Sequence, residues 1–318
     1  MFEIEDGVSI PNEIRSRLVF QTRINSGECE DVLDLDISFF SREVIFHGKN
    51  NPFSLEKIGN LVELYFQHNQ NVIDKQEICF GMIFKEFPRL ALYLYQAHLF
   101  QADFIIQEIK KEYQSMQIIL FKEYIDELNE FSKYINSSHK KALSFIDNRK
   151  QVINDGWKIG EIGYILKFDD IDSLKEMEIP KKDHKVVWSI FEWINSPADL
   201  SLLSVSACFS SLKCFRHLLI NGFSISKNVI MGSIYGGNLD IFHLCVPFID
   251  EKSIEEFAFN SSVWRKNEIA EWIILNYNVP LSIFVHSNNL YFVLYLIQNG
   301  YDLNLKKEVI LRFLKEIH

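Results

Sequence analysis

The chain has 318 residues, 47% hydrophobic and 24% charged, with 13 Gly, 7 Pro and a net charge of −10. That apolar content is enough to offset the entropy of ordering, so a disordered chain is excluded. Turn-forming residues are too sparse for an all-β fold, and helices on short connections are expected instead. A surplus of acid excludes the basic surface on which phosphate neutralisation depends, so nucleic acid is not an expected partner.

The short basic pairs Lys140–Lys141, Arg149–Lys150 and Lys181–Lys182 read as solvated loops or helix ends. The five cysteines, Cys29, Cys79, Cys208, Cys214 and Cys245, are scattered and form no CxxC pair. They constitute neither a disulfide framework nor a zinc ligand set, and they suit a reducing compartment. Met1 to Asp6 is acidic, unlike the start of a signal peptide. No apolar run approaches the roughly 20 residues that span a bilayer. A cytoplasmic address with no membrane span is therefore expected.

In chain order, Val32 to Ile37 alternates apolar and acidic residues, as a half-buried strand does, and Val44-Ile45-Phe46 reads as a second strand or the start of a helix. From Pro52 the period becomes helical. Leu55, Ile58, Leu61, Val62 and Tyr65 form one stripe behind a Ser54 cap, and Leu90 to Phe100 forms a helix begun after Pro88. Phe104, Ile105 and Ile109 mark a third helix; Ile118, Phe121, Ile125, Leu128 and Phe131 mark a fourth. Polar Ser137 to Lys141 is the expected boundary. It divides a mostly helical N-terminal region, 1–137, of unknown function and with a short strand pair, from a repeat region, 138–318.

Four windows in the second region share one pattern. Ser201–Ala207 precedes Leu212–Leu219; Val229–Ile234 precedes Gly236–Cys245; Phe257–Ser261 precedes Asn267–Ile274; Val279–Ile283 precedes Phe292–Ile297. Small residues recur at Ser206, Ser233 and Ser261, where short helices must approach closely. Apolar pairs recur at Leu218/Leu219, Cys245/Val246, Ile273/Ile274 and Leu296/Ile297, and Gly222 and Gly300 follow at one offset as left-handed helix caps. Gly160–Met177 is a weaker leading repeat, Val186–Phe191 an inserted helix, and Val309–His318 a capping helix with a polar outer side.

Val279-Pro-Leu-Ser282, Gly237-Asn-Leu-Asp-Ile-Phe242 and Leu296–Asn304 resemble the opening, centre and close of the ankyrin repeat. The wording looks like the divergent ankyrin-type proteins abundant in trichomonad protists, over about Lys158 to His318. The resemblance implies a mainly α fold, a helical N-terminal region followed by an α-solenoid of degenerate ankyrin-type helix pairs. It implies a non-catalytic protein–protein interaction scaffold or adaptor. Repeat spacings of 27, 28 and 23, below the usual ~33, imply short or missing hairpin fingers. The threonine that opens the family motif is replaced by Ser201, Asn228, Glu256 and Val279.

The expected partner is another protein, met along the first helices at Val205, Cys208, Phe209, Tyr235, Asn260, Val263, Trp264, Ile283 and His286. Of these, Phe209, Tyr235, Asn260, Trp264 and His286 are the principal candidates. Two alternatives stand beside this reading. Asp34 and Asp36 resemble the paired aspartates of magnesium-dependent haloacid-dehalogenase-like phosphatases, although no alternating strand–helix pattern supplies the rest of that site. The N-terminal region is otherwise an oligomerisation or targeting module that presents the repeats. Cys214 with His217, and Cys245 with His243, read as repeat core rather than zinc ligands. Gly156, Gly160 and Gly163 make no phosphate loop. No catalytic residue, cofactor or metal is expected.

Overall fold

A computed structural model describes residues 20, 36–50, 55–69, 73–112, 114–137, 139, 149–177, 185–186, 189, 192, 201–287 and 289–301. Among them the chain is mainly helical, and the sole extended pairing is an isolated antiparallel bridge between Lys185 and Ser201. It forms two compact units, residues 1–132 with 290–318, and residues 133–289. The first division falls near the polar Ser137–Lys141 boundary. The second takes Leu290 onward away from the repeats and groups it with the N-terminal unit.

The first unit holds α1 (Ile37–Asn50), α2 (Leu55–His68), α3 (Ile73–Glu86), α4 (Pro88–Gln96), α5 (Ala102–Lys111) and α6 (Ser115–Phe121), then a 3₁₀ helix, Asp126–Tyr134. Ile37 opens a helix instead of ending a strand, and Val44, Ile45 and Phe46 lie inside it. Val32 to Leu35 and Ser54 lie outside the described residues. The alternation around Ile37 has another cause, because the Asp36 carboxylate accepts the amides of Ser38 and Phe39 at 2.9 and 3.2 Å as a helix cap. Pro88 occupies the first turn of α4, where its missing amide proton costs nothing. The expected fourth helix is broken after Phe121 by a turn at Lys122–Tyr124. Helix α3 carries the stripe Cys79, Phe80, Ile83 and Phe84, all buried.

Helix α4 packs against α2, α3 and α6, and α1 packs against α2 and α3, so these helices share one centre. Rings fill it. Phe40 stacks on Tyr65 at 3.8 Å, Phe80 on Phe100 at 3.7 Å, and Phe84 lies 5.5 Å from Phe121. Glycine permits the closest approach, since a Cβ on Gly59 would stand 2.1 Å from the Tyr93 ring. Helix α17 (Leu290–Gln298) groups with this unit and buries Phe292, Val293 and Leu296.

The second unit holds α7 (Arg149–Asp155) and then helices in pairs. First and second helices are α8 (Ile162–Lys167) with α9 (Ile171–Glu176), α10 (Leu202–Cys208) with α11 (Leu212–Ile220), α12 (Lys227–Gly236) with α13 (Leu239–Cys245), and α14 (Ile254–Val263) with α15 (Asn267–Asn276). Helix α16 (Ser282–Val285) is one further first helix. Each first helix packs on the next first helix, from α8 through α16, and each second helix packs on the next second helix, from α9 through α15.

The same turn joins the helices within each pair. Asp169, Ser210, Gly237 and Arg265 each end a first helix in the left-handed region, at φ 53, 59, 80 and 60°. The next amide then reaches back to the helix, Asp170 to the Ile165 carbonyl (3.0 Å), Ser211 to Ser206 (2.9 Å) and Lys266 to Ser261 (2.8 Å). Small buried serines make the layers thin. The hydroxyls of Ser206, Ser233 and Ser261 each donate to the carbonyl three residues earlier, at 2.9, 2.7 and 2.7 Å, which pairs each of these buried hydroxyls within its own helix. Ser287 does the same after α16, to Phe284 at 2.7 Å. Leu218, Cys245 and Ile273 are fully buried on the second helices. Between pairs, residues 221–226, 246–253 and 277–281 contain no strand, so hairpin fingers are missing there. The described residues of the insertion, Lys185, Val186, Ser189 and Glu192, are not helical, so an inserted helix is not found at these positions. The capping segment Val309–His318 lies outside the described residues.

Candidate functional site

Close approach of α10 and α12 decides what their flanks can present. A Cβ on Gly236 would stand 2.3 Å from the Ala207 carbonyl oxygen, and one on Gly232 would stand 2.9 Å from that of Ser204. The Ser210 hydroxyl donates to the Gly236 carbonyl at 2.9 Å, and the Ser204 hydroxyl to the Asn228 carbonyl at 3.3 Å. Every residue of α10 is buried as a result.

Two of the sequence candidates are therefore corrected. Phe209 is buried, its ring edge-on to Trp157 at 5.7 Å with the Lys167 ammonium 5.6 Å from its centre. Tyr235 is buried edge-on to Trp264 at 5.1 Å, and burial pushes its phenol well above the ordinary range. Neither ring reaches the surface, because each is covered by an aromatic from outside its own repeat. Val205 and Cys208 are buried likewise.

The remaining candidates lie on α14 and around α16. Asn260 is partly exposed, and its amide donates to the Glu256 carbonyl at 2.8 Å, which leaves its amide oxygen for other donors. Val263, Trp264 and Ile283 are partly exposed and His286 is exposed. Phe259, absent from the sequence reading, is also partly exposed. Asn260, Val263 and Trp264 lie three or four residues apart, on one face near the C-terminus of α14.

Polar side chains at the starts of the first helices cap their own helix or reach a neighbouring one. Ser201 caps α10 by accepting the Ser204 amide at 3.2 Å, and Glu256 pairs with Lys227 at 2.6 Å across neighbouring first helices. The Asp169 carboxylate accepts the amides of Lys213 and Cys214 at 3.2 and 2.8 Å, so one layer caps the second helix of the next. Asn289 is wholly buried; its amide donates to the Ser262 carbonyl at 3.0 Å and to the Asn267 side chain at 2.7 Å. Sequence reading missed Ser287 and Asn289 because the last spacing, 23 residues, is shorter than the other two.

Several ionisable residues join parts of the fold. The Lys167 ammonium is paired with the buried Glu192 carboxylate and donates to the Asp155 carbonyl at 3.0 Å. Glu192 lies against Gly156, where a Cβ would meet its carboxylate oxygen at 1.8 Å. Asp36 is a helix cap and not a strand-end acid, and Asp34 lies outside the described residues. Burial pushes the thiols of Cys79, Cys208, Cys214 and Cys245 up to about 12, with Asp169 adding to the effect at Cys214. Such thiols are poor nucleophiles and poor metal ligands. No group of three or more His, Cys, Asp or Glu positioned for a metal occurs among the described residues. Among the same residues, no helix is long and apolar enough to cross a membrane. No protein-family model, curated protein or solved structure matches the chain.

Proposed function

We propose that this chain is a non-catalytic scaffold that binds another protein through a stack of ankyrin-type helix pairs. The observation that carries the reading is the recurrence of one device. A first helix, a left-handed residue four positions after a small buried serine, and a second helix return at intervals of 27 and 28 residues from Ser210 through Gly237 to Arg265. Each pair uses its neighbours to cover its apolar faces, which is how a repeat array generates an extended surface in place of a pocket.

The surface offered to a partner is the exposed edge of α14 and the turn after α16, with Asn260, Trp264 and His286 at its centre. A ring that is partly exposed and held edge-on by Tyr235 is a rigid anchor that loses little entropy on binding. The test is affinity capture with the full-length chain and with an Asn260→Arg/Trp264→Ala variant, the fold of both monitored by circular dichroism. A stoichiometric partner retained by the parent and reduced at least ~10-fold by the variant is expected. Equal capture by both folded chains contradicts the assignment.

A further inference from the structure

The second helices carry a row of exposed apolar side chains that neither the repeat core nor the proposed partner surface uses. Ile220, Phe248 and Leu275 are 85, 56 and 67% exposed, an uncommon state for large apolar residues. Ile220 ends α11, Phe248 lies in the turn after α13, and Leu275 lies in the last turn of α15. They recur once per layer, at or just beyond the ends of three consecutively packed second helices, so they form a short ladder.

Charge beside that ladder changes sign from one end to the other. On α11 the exposed Lys213 and Arg216 precede Ile220 by seven and four residues, on the same helix face. On α15 the exposed Glu268 and the partly exposed Glu271 precede Leu275 at the same offsets. The middle layer holds exposed Asp240 and His243 at the matching positions, one acid beside a histidine. Over these three layers the face therefore runs from basic at α11, through the single acid Asp240, to doubly acidic at α15, with apolar residues at one edge.

We infer that this face binds a second copy of the chain in a two-fold arrangement centred on the layer of α13. A two-fold axis there sets Lys213 and Arg216 of one protomer opposite the acidic α15 face of its partner, and does so twice. It also brings the apolar ladders together end for end, Ile220 toward the opposite Leu275 and Phe248 toward its own counterpart. Such self-complementarity is the requirement of a closed, isologous dimer. Three exposed apolar side chains are few beside the roughly 20–30 residues and ~800 Å² per partner of a standard stable interface, so weak, concentration-dependent association is expected.

Sedimentation velocity on the purified full-length chain tests the proposal, from about 1 to about 200 µM, a range that brackets micromolar affinity. A monomer–dimer equilibrium is expected, weakened by raising the salt from about 50 to about 500 mM, because exposed ion pairs are screened. Lys213→Glu/Arg216→Glu and Glu268→Lys/Glu271→Lys should each weaken self-association at least ~10-fold. An equimolar mixture of the two variants should recover a mixed dimer, since each then offers the charge the other lacks. Ile220→Ser, at a position too exposed to disturb folding, should weaken the parent dimer without altering its salt dependence. A chain that stays monomeric throughout overturns the inference. So does a dimer indifferent to both reversals, or reversed variants that do not prefer each other. Because the readout uses the purified chain alone, its failure leaves partner capture through α14 untouched, and the converse also holds.

Discussion

The two units bury apolar surface by opposite strategies. In the N-terminal unit α4 packs against three neighbours and rings interlock around it, so a contact such as Phe80 with Phe100 joins segments twenty residues apart in one centre. In the second unit each helix is sealed mainly by its own pair and the adjacent pairs, and the same turn and the same buried serine are reused. A shared centre makes stability collective, whereas layers make it approximately a sum of neighbour terms. The first unit should therefore fail as a whole when its centre is damaged. The second should lose stability locally, near the damaged layer.

The largest expected effect breaks the first unit. Phe121 is fully buried against Phe84 and Tyr95, and Phe121→Ala should cost about 4 kcal/mol. Hydrogen exchange should then accelerate together across α2, α3, α4 and α6. Protection lost in α6 alone would show that the unit is not a collective core.

Next is the ion pair under the first layer. Lys167→Met leaves Glu192 enclosed without its cation and should cost about 3 kcal/mol, while Lys167→Met/Glu192→Leu should recover most of that loss. Chemical denaturation of the single and double variants measures both. A double variant no better than Lys167→Met would mean that packing, and not charge, holds this site.

Gly236→Ala sharpens the comparison further. The added methyl meets the Ala207 carbonyl at 2.3 Å, so α10 and α12 must separate, at about 2 kcal/mol. Exchange should quicken at those two helices and their immediate neighbours, and stay unchanged in α16.

A pH dependence of similar size comes last. Burial pushes Lys266 down to about 8 from its ordinary 10.5. Between those values the unfolded chain holds a proton that the folded chain has released, so stability rises with pH across that window. Lys266→Met should remove this slope, which denaturation at pH 8 and pH 10 would show.

Layers were far more legible in the sequence than the shared centre, for a physical reason. A layer is local, so Ser206, Ser233 and Ser261, and Leu218, Cys245 and Ile273, occupy equivalent environments and recur in register. The ring cluster joins residues without periodic relation, and helix α3 gave no turn or cap signal to mark it. Asp36 was misread because an acid before an apolar stripe serves equally as a strand's outer face or a helix cap. Phe209 and Tyr235 were misplaced because their first helices are covered from outside, by Trp157 and Trp264, which register within one repeat does not foretell.

Spin-label distances across the layers test the stack most directly. Asp172, Lys213, Asp240 and Glu268 are exposed and stand at the same position after each turn, two residues beyond Asp170, Ser211, Asn238 and Lys266. Cys79, Cys208, Cys214 and Cys245 are buried and unreactive, so nitroxides can be placed on single introduced cysteines in a Cys29→Ser background. Stacked pairs predict separations that grow by about 10 Å per layer, near 20 Å from Asp172 to Asp240 and near 30 Å from Asp172 to Glu268. Separations that stay level or shrink as layers are added would contradict it.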